Sequence, residues 1–149
     1  MGDLRIEREV LIDAPVEVVW RTVTEPEQIR LWFADEVELD VRTGGHGVLV
    51  FNDRPHRAPL VVEEVDAPRR FSFRWGHDVG EVPAPGNSLL VEFILVPEGD
   101  AQTRLRVVES ELELLGWADS QKEGYAEDHR AGWGRGLDRL AGLFAPAAN

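Results

Sequence analysis

Hydrophobic and polar positions alternate from the start of the chain. Leu4, Ile6, Val10 and Ile12 share one face with Arg8, while Arg5, Glu7 and Glu9 take the other. A period of two predicts a half-buried strand. Asp13-Ala14-Pro15 ends it, with Asp13 placed to cap a helix and Pro15 suited to a first turn. Val16, Val19, Trp20 and Val23 then recur at helical spacing, Thr24-Glu25-Pro26 breaks the run, and a second short helix is expected through Ile29, Leu31 and Trp32. Six strand-like pieces follow, over Glu36–Val41, Gly47–Asn52, Ala58–Val65, Arg70–Trp75, Ser88–Val96 and Thr103–Ser110. Turn residues separate them, including Gly44-Gly45, Asp66 to Pro68 and Pro97 to Asp100. The longest irregular stretch, Gly76 to Asn87, reads as a functional loop. From Gln121 to Phe144 a long helix is expected, because Tyr125, His129, Trp133, Leu137, Leu140 and Phe144 form one stripe.

The order is strand, two short helices, six strands, long helix. Short turns between consecutive strands imply an antiparallel sheet. Such a sheet has one face to bury, and only the C-terminal helix is long enough to cover it. The fold class is therefore α+β, a curved antiparallel sheet of about seven strands around a long helix, with residues 1–149 as a single domain. Gly132 and Gly134 are expected to let the helix lie close to the strands. A curved sheet around one helix can leave an apolar cavity between them.

Specific residues carry a resemblance. Asp13-Ala14-Pro15-Val16-Glu17-Val18-Val19-Trp20, Thr24-Glu25-Pro26-Glu27-Gln28 and Trp32-Phe33 resemble the opening of the SRPBCC, or START-like, superfamily. Val91 to Leu95, Gly99, and Thr103 to Val107 are similar to the penultimate hairpin of its family related to the activator of heat-shock-protein-90 ATPase. His129-Arg130-Ala131-Gly132-Trp133 with Leu137 and Leu140 resembles that family's final helix. The resemblance implies the helix-grip fold, in which the first and last strands are neighbours. It implies no shared catalytic motif.

Composition narrows the chemistry. The 149 residues contain no cysteine, which excludes disulfides, thiolate catalysis and cysteine-ligated metals. A net charge of −12 is repelled by phosphate backbones and anionic lipid, so neither nucleic acid nor a membrane surface is expected as a partner. The apolar runs are far short of a membrane span, and the first residues have no signal-peptide core, so a cytoplasmic protein is expected. His46, His56, His77 and His129 lack metal-ligand spacing, and no metal or cofactor is expected. The serines have no nucleophile-elbow context, and Gly44-Gly45-His46-Gly47 reads as a hairpin turn.

Aromatic residues give the main ligand signal. Phe71, Phe73 and Trp75 share one strand face, as do Leu89, Val91, Phe93 and Leu95 on the next. With Trp32, Phe33, Phe51 and, from the helix, Tyr125, His129, Trp133 and Leu137, they form either a plain core or the wall of a cavity. The cavity reading expects Phe73, Trp75, Phe93 and Trp133 to converge on a void of at least ~300 Å³. Arg8 is the one charge on the apolar face of its strand. It is expected to be buried, and to pair with Glu109 across neighbouring strands or to hold a ligand anion. Glu109 also belongs, with Glu111, Glu113 and the pair Glu63-Glu64, to an acidic set that reads as solvated faces or a surface for a basic partner.

The first functional expectation is thus a protein that binds a hydrophobic or aromatic small molecule without covalent catalysis. The ligand set is Arg8, Trp32, Phe51, Phe73, Trp75, Phe93, Tyr125, His129, Trp133 and Leu137. An aromatase- or cyclase-like enzyme using His129, Tyr125 or Asp53 as acid or base is the second. A co-chaperone-like interaction module, with a chaperone or other protein partner, is the third; monomer and homodimer remain open.

Overall fold

The computed structural model describes residues 5–51, 56–75 and 82–144. Strand β1 (Ile6–Ile12) leads into helices α1 (Val16–Thr24) and α2 (Pro26–Ile29). Six strands follow: β2 (Glu36–Leu39), β3 (His46–Phe51), β4 (His56–Asp66), β5 (Arg70–Trp75), β6 (Leu89–Glu98) and β7 (Gln102–Ser110). A 3₁₀ turn (Leu112–Leu114) precedes helix α3 (Asp119–Gly142). All seven strands form one antiparallel sheet in the order β1-β7-β6-β5-β4-β3-β2. The expected α+β architecture and the pairing of first and last strands are present. Asp53, His77 and the segment 76–81 lie outside the described residues, and so does Leu4.

The inner face of the sheet follows from period two. Phe71, Phe73 and Trp75 on β5, Leu89, Val91, Phe93 and Leu95 on β6, and Thr103, Leu105, Val107 and Glu109 on β7 are all buried. On α3 the buried positions are Tyr125, Ala126, Trp133, Gly136, Leu137 and Leu140; of the stripe expected from the spacing, His129 and Phe144 are only half-buried, and Phe144 lies past the helix end. The helix begins at Asp119, two residues before the expected start.

The outer face is organised by charge. Arg74 reaches Glu63 at 2.8 Å and grips both oxygens of Glu111, Arg70 bonds Glu92, Arg106 bonds Glu7 at 2.7 Å, and Arg104 bonds Glu98 at 2.9 Å. This corrects the picture of a uniformly solvated acidic set. Glu109 is fully buried, Glu111 is tied to buried Arg74, and only Glu113 of the three is exposed. Glu63 and Glu64 are both exposed because the β4–β5 register shifts between Val62 and Glu64, a bulge that breaks alternation.

Three local expectations are corrected. Asp13 does not cap α1; its Oδ1 accepts from Gln102 Nε2 at 2.9 Å, and Pro15 takes the cap position without a side-chain bond. Gly132 and Gly134 are not what lets α3 approach the sheet. A Cβ at Gly134 would meet only the Arg8 guanidinium, at 3.7 Å, and one at Gly132 only Arg135, at 3.9 Å. The glycine facing the core is Gly136, whose Cβ would meet the Trp32 ring at 3.6 Å.

The third concerns Arg8, which is exposed. Antiparallel register sets Ile6 opposite Glu109 and Arg8 opposite Val107. The Arg8 Nε donates to the Arg130 carbonyl of α3 at 3.1 Å. A guanidinium on an edge strand beside a helix keeps its hydration this way, and the desolvation cost of a buried pair is avoided.

Candidate functional site: a buried carboxylate ringed by aromatic donors

Glu109 stands at the inner end of β7, on the face where Leu105 and Val107 enter the core. Its side chain is 0% exposed. An unpaired carboxylate there would cost several kcal/mol, so its oxygens need donors. Four converge on it. Oε1 accepts from His129 Nδ1 at 3.0 Å and from Trp133 Nε1 at 2.9 Å. Oε2 accepts from Trp75 Nε1 at 2.8 Å and from the Tyr125 hydroxyl at 2.6 Å. Tyr125, His129 and Trp133 are successive i, i+4 positions, so one face of α3 presents all three to one carboxylate. Trp75 comes from β5, two strands away from β7.

The donors set the charge state. Burial alone pushes the Glu109 carboxyl up; the His129 bond and charge, then the Tyr125 and Trp133 bonds, outweigh it and hold the group below its ordinary value. Glu109 is therefore a carboxylate, and a carboxylate only accepts, so His129 Nδ1 carries a proton. Tyr125 moves the opposite way: burial, then the Glu109 charge and its bond, raise the phenol well above its ordinary range.

Ring contacts complete the site. His129 stacks on Tyr125 at 3.7 Å with 21° between planes and meets Trp75 edge-on at 5.8 Å. Phe33 stacks on Trp133 at 4.7 Å and lies 5.9 Å from Trp75 and 5.4 Å from Phe51. Phe73, Trp75, Trp133 and Phe93 contact one another in a closed circuit, each ring meeting the next at 5.6–5.9 Å. Exposure rises outward from Glu109: Trp133 is 2% exposed, Trp75 7%, Tyr125 9%, and the His129 side chain 18%.

Of the residues singled out from sequence, Trp75, Tyr125, His129 and Trp133 meet at Glu109. Phe73 and Phe93 back them. Trp32 bonds the Thr22 carbonyl at 3.0 Å and packs beneath Gly136, and Leu137 is buried core. Phe51 touches the cluster through Phe33, and Arg8 is held elsewhere, at the β1 edge. Glu109 as the hub was missed, because it was assigned to Arg8. Its signal was present: it continues the alternation of Thr103, Leu105 and Val107, which pointed inward.

A long C-terminal helix gripped by a curved, seven-stranded antiparallel sheet defines the helix-grip class. Within it, residues 13–145 match the activator of Hsp90 ATPase homolog 1-like proteins, and the chain belongs to that family. No protein of curated function matches it in sequence. Among solved structures, the protein MLL2253 from Mesorhizobium loti superposes with a TM-score of 0.75 at 22% identity, covering 93% of this chain and 95% of that one. DynU16, a putative protein in the dynemicin biosynthetic locus, has a TM-score of 0.75 at 28% identity, over 94% of this chain and 46% of its own. The Aha1 dimer from Colwellia psychrerythraea has a TM-score of 0.73 at 16% identity, over 94% and 95%. Among the described residues, no helix is long and apolar enough to cross a membrane.

Proposed function

We propose that this protein binds a small, flat, apolar molecule without forming a bond to it. The ligand lies at the outer end of the aromatic cluster, against Trp75 and Tyr125, with a polar atom facing His129. One observation carries this reading: the buried polar cluster around Glu109 becomes accessible at the His129 end, where aromatic rings frame it. Flat rings supply dispersion contacts and one polar group sets orientation, the usual composition of a small-molecule site. The occurrence of the relative DynU16 in a biosynthetic locus is in keeping with such a ligand.

Native mass spectrometry of freshly purified protein is expected to show a bound small molecule that denaturation releases. A bare polypeptide mass, together with tryptophan fluorescence unchanged by added naphthalene, would overturn the reading. Family membership favours a second one, a chaperone partner. Stimulation of a chaperone ATPase that persists when the His129 end is blocked by His129→Trp would support it.

A further inference from the structure

We propose that the exposed face of α3 is an interface with a second copy of this chain, the two helices lying antiparallel about a two-fold axis through Ala131. Five residues on that face follow one another at intervals of four: Glu123, Glu127, Ala131, Arg135 and Arg139. All five are exposed. At about 100° per residue, Ala131 points away from the middle of the buried stripe that runs from Tyr125 to Leu140. The order of charges is acid, acid, alanine, base, base, so the stripe is its own complement when reversed. A two-fold axis at Ala131 sets Glu127 against Arg135 of the second copy and Glu123 against Arg139 of the second copy, and each contact occurs twice. Asp128 and Asp138 share this face. The same axis sets them against Gly134 and Gly124 of the second copy, so neither is set against an acid.

Within one chain the pattern is unfavourable. Glu123 and Glu127 are like charges one turn apart, as are Arg135 and Arg139, and such pairs destabilise an isolated helix. None of the four forms an ion pair among the described residues. By contrast, Arg70, Arg74, Arg104 and Arg106 on the outer face of the sheet each hold a glutamate. The helix dipole favours acids in the first turn and bases in the last, which covers Arg139 but not Glu127 or Arg135, both about two turns inside. A second copy supplies the missing opposite charges. Ala131 and Gly132 put little side chain at the centre, where the helices come closest. Residues four apart form a ridge, and two packed helices share the direction of such ridges when they cross at about 50°. The stripe is about 24 Å long at about 1.5 Å per residue. One helix pair of that length stays below the ~1,200 Å² of a standard interface, so the dimer is expected to be reversible.

The test is sedimentation equilibrium of the full chain at about 0.1 M ionic strength. There a Debye length of ~10 Å screens the repulsion between two chains of net charge −12 and leaves contacts of a few ångströms intact. A monomer–dimer equilibrium is expected. Arg135→Glu and Glu127→Arg are each expected to raise the dissociation constant about 10-fold or more, because both symmetry-related copies of one contact turn repulsive. Both positions are exposed, so the two variants are expected to fold as wild type does, which circular dichroism checks. Mixed in equal amounts, the two variants are expected to form a heterodimer, since every contact between positions 127 and 135 then joins opposite charges. A wild type that stays monomeric at every concentration reached, a dimer that neither substitution weakens, or a mixture that stays monomeric would overturn the proposal.

Discussion

Trp133 Nε1 donates to Glu109 Oε1 over 2.9 Å, and this joins the middle of α3 to the inner end of β7 inside the core. The indole thus has two separable roles, a hydrogen-bond donor and an apolar ring stacked on Phe33. Trp133→Ala removes both and is expected to cost about 3–5 kcal/mol or more. Trp133→Phe keeps a ring and removes the donor to a buried charge, for about 1.5–3 kcal/mol. Denaturant unfolding of the two variants checks the order; equal losses would show that the bond contributes nothing.

His129 is more than a cavity-edge group. Its bond to Glu109 and its stack on Tyr125 give it contacts that a loop histidine lacks. His129→Ala is expected to cost about 1–3 kcal/mol, less than Trp133→Ala, since three donors to the carboxylate remain. The same unfolding series measures it, and a loss as large as that of Trp133→Ala would make His129 a core residue.

Tyr125 is the chain's only tyrosine, so tyrosinate absorbance reports it alone. Its folded value is raised, so folding favours the neutral phenol; that contribution is present below pH 10 and is lost as pH rises through the folded value. The absorbance is expected to stay flat through pH 10 and to rise later, together with unfolding. A simple titration centred near pH 10 in folded protein would contradict the burial of Tyr125 against a charged Glu109.

Acid acts through Glu109. Its folded value lies below the ordinary 4.5, so the carboxylate stabilises the fold above that pH and the contribution fades as pH falls through the folded value. Below pH 4.5, wild type is expected to lose stability more steeply than Glu109→Gln, by up to about 1.4 kcal/mol per pH unit for one proton. Unfolding free energies measured against pH for both proteins give the slopes; parallel curves would show that Glu109 does not titrate as described.

How much of this was legible can be judged from Glu109 itself. Period two along Thr103, Leu105 and Val107 pointed it inward, and a spacing of four put Tyr125, His129 and Trp133 on one helix face. Their meeting was not legible, because it depends on how α3 lies across the sheet and on Trp75, 34 residues from Glu109 in sequence. Adjacency of β1 and β7 suggested Arg8 instead; its guanidinium turns to the Arg130 carbonyl of α3, a contact that depends on where the helix lies and not on the strand pattern. The 3₁₀ turn was missed because it follows Glu111, whose left-handed backbone (φ 76°) accompanies the bidentate grip of Arg74, also a long-range partner.

Gly124 offers a control away from the site. A Cβ there would meet nothing within 4 Å, so Gly124→Ala gains helix propensity without a clash. A stabilisation of about 0.5–1 kcal/mol is expected from thermal or denaturant unfolding. Destabilisation would mean that α3 is not a regular helix at this position.

The proposed ligand lies where Trp75, Tyr125 and His129 surround the outer end of the Glu109 cluster, and NMR tests that position directly. Five tryptophan indole N–H signals can be followed by NMR while naphthalene is added. Saturable shifts are expected for the Trp75 and Trp133 signals, whose protons lie on Glu109, while that of Trp20, which packs against Phe71 instead, stays in place. Shifts confined to Trp20, or no shift at any concentration that naphthalene reaches in water, would contradict it.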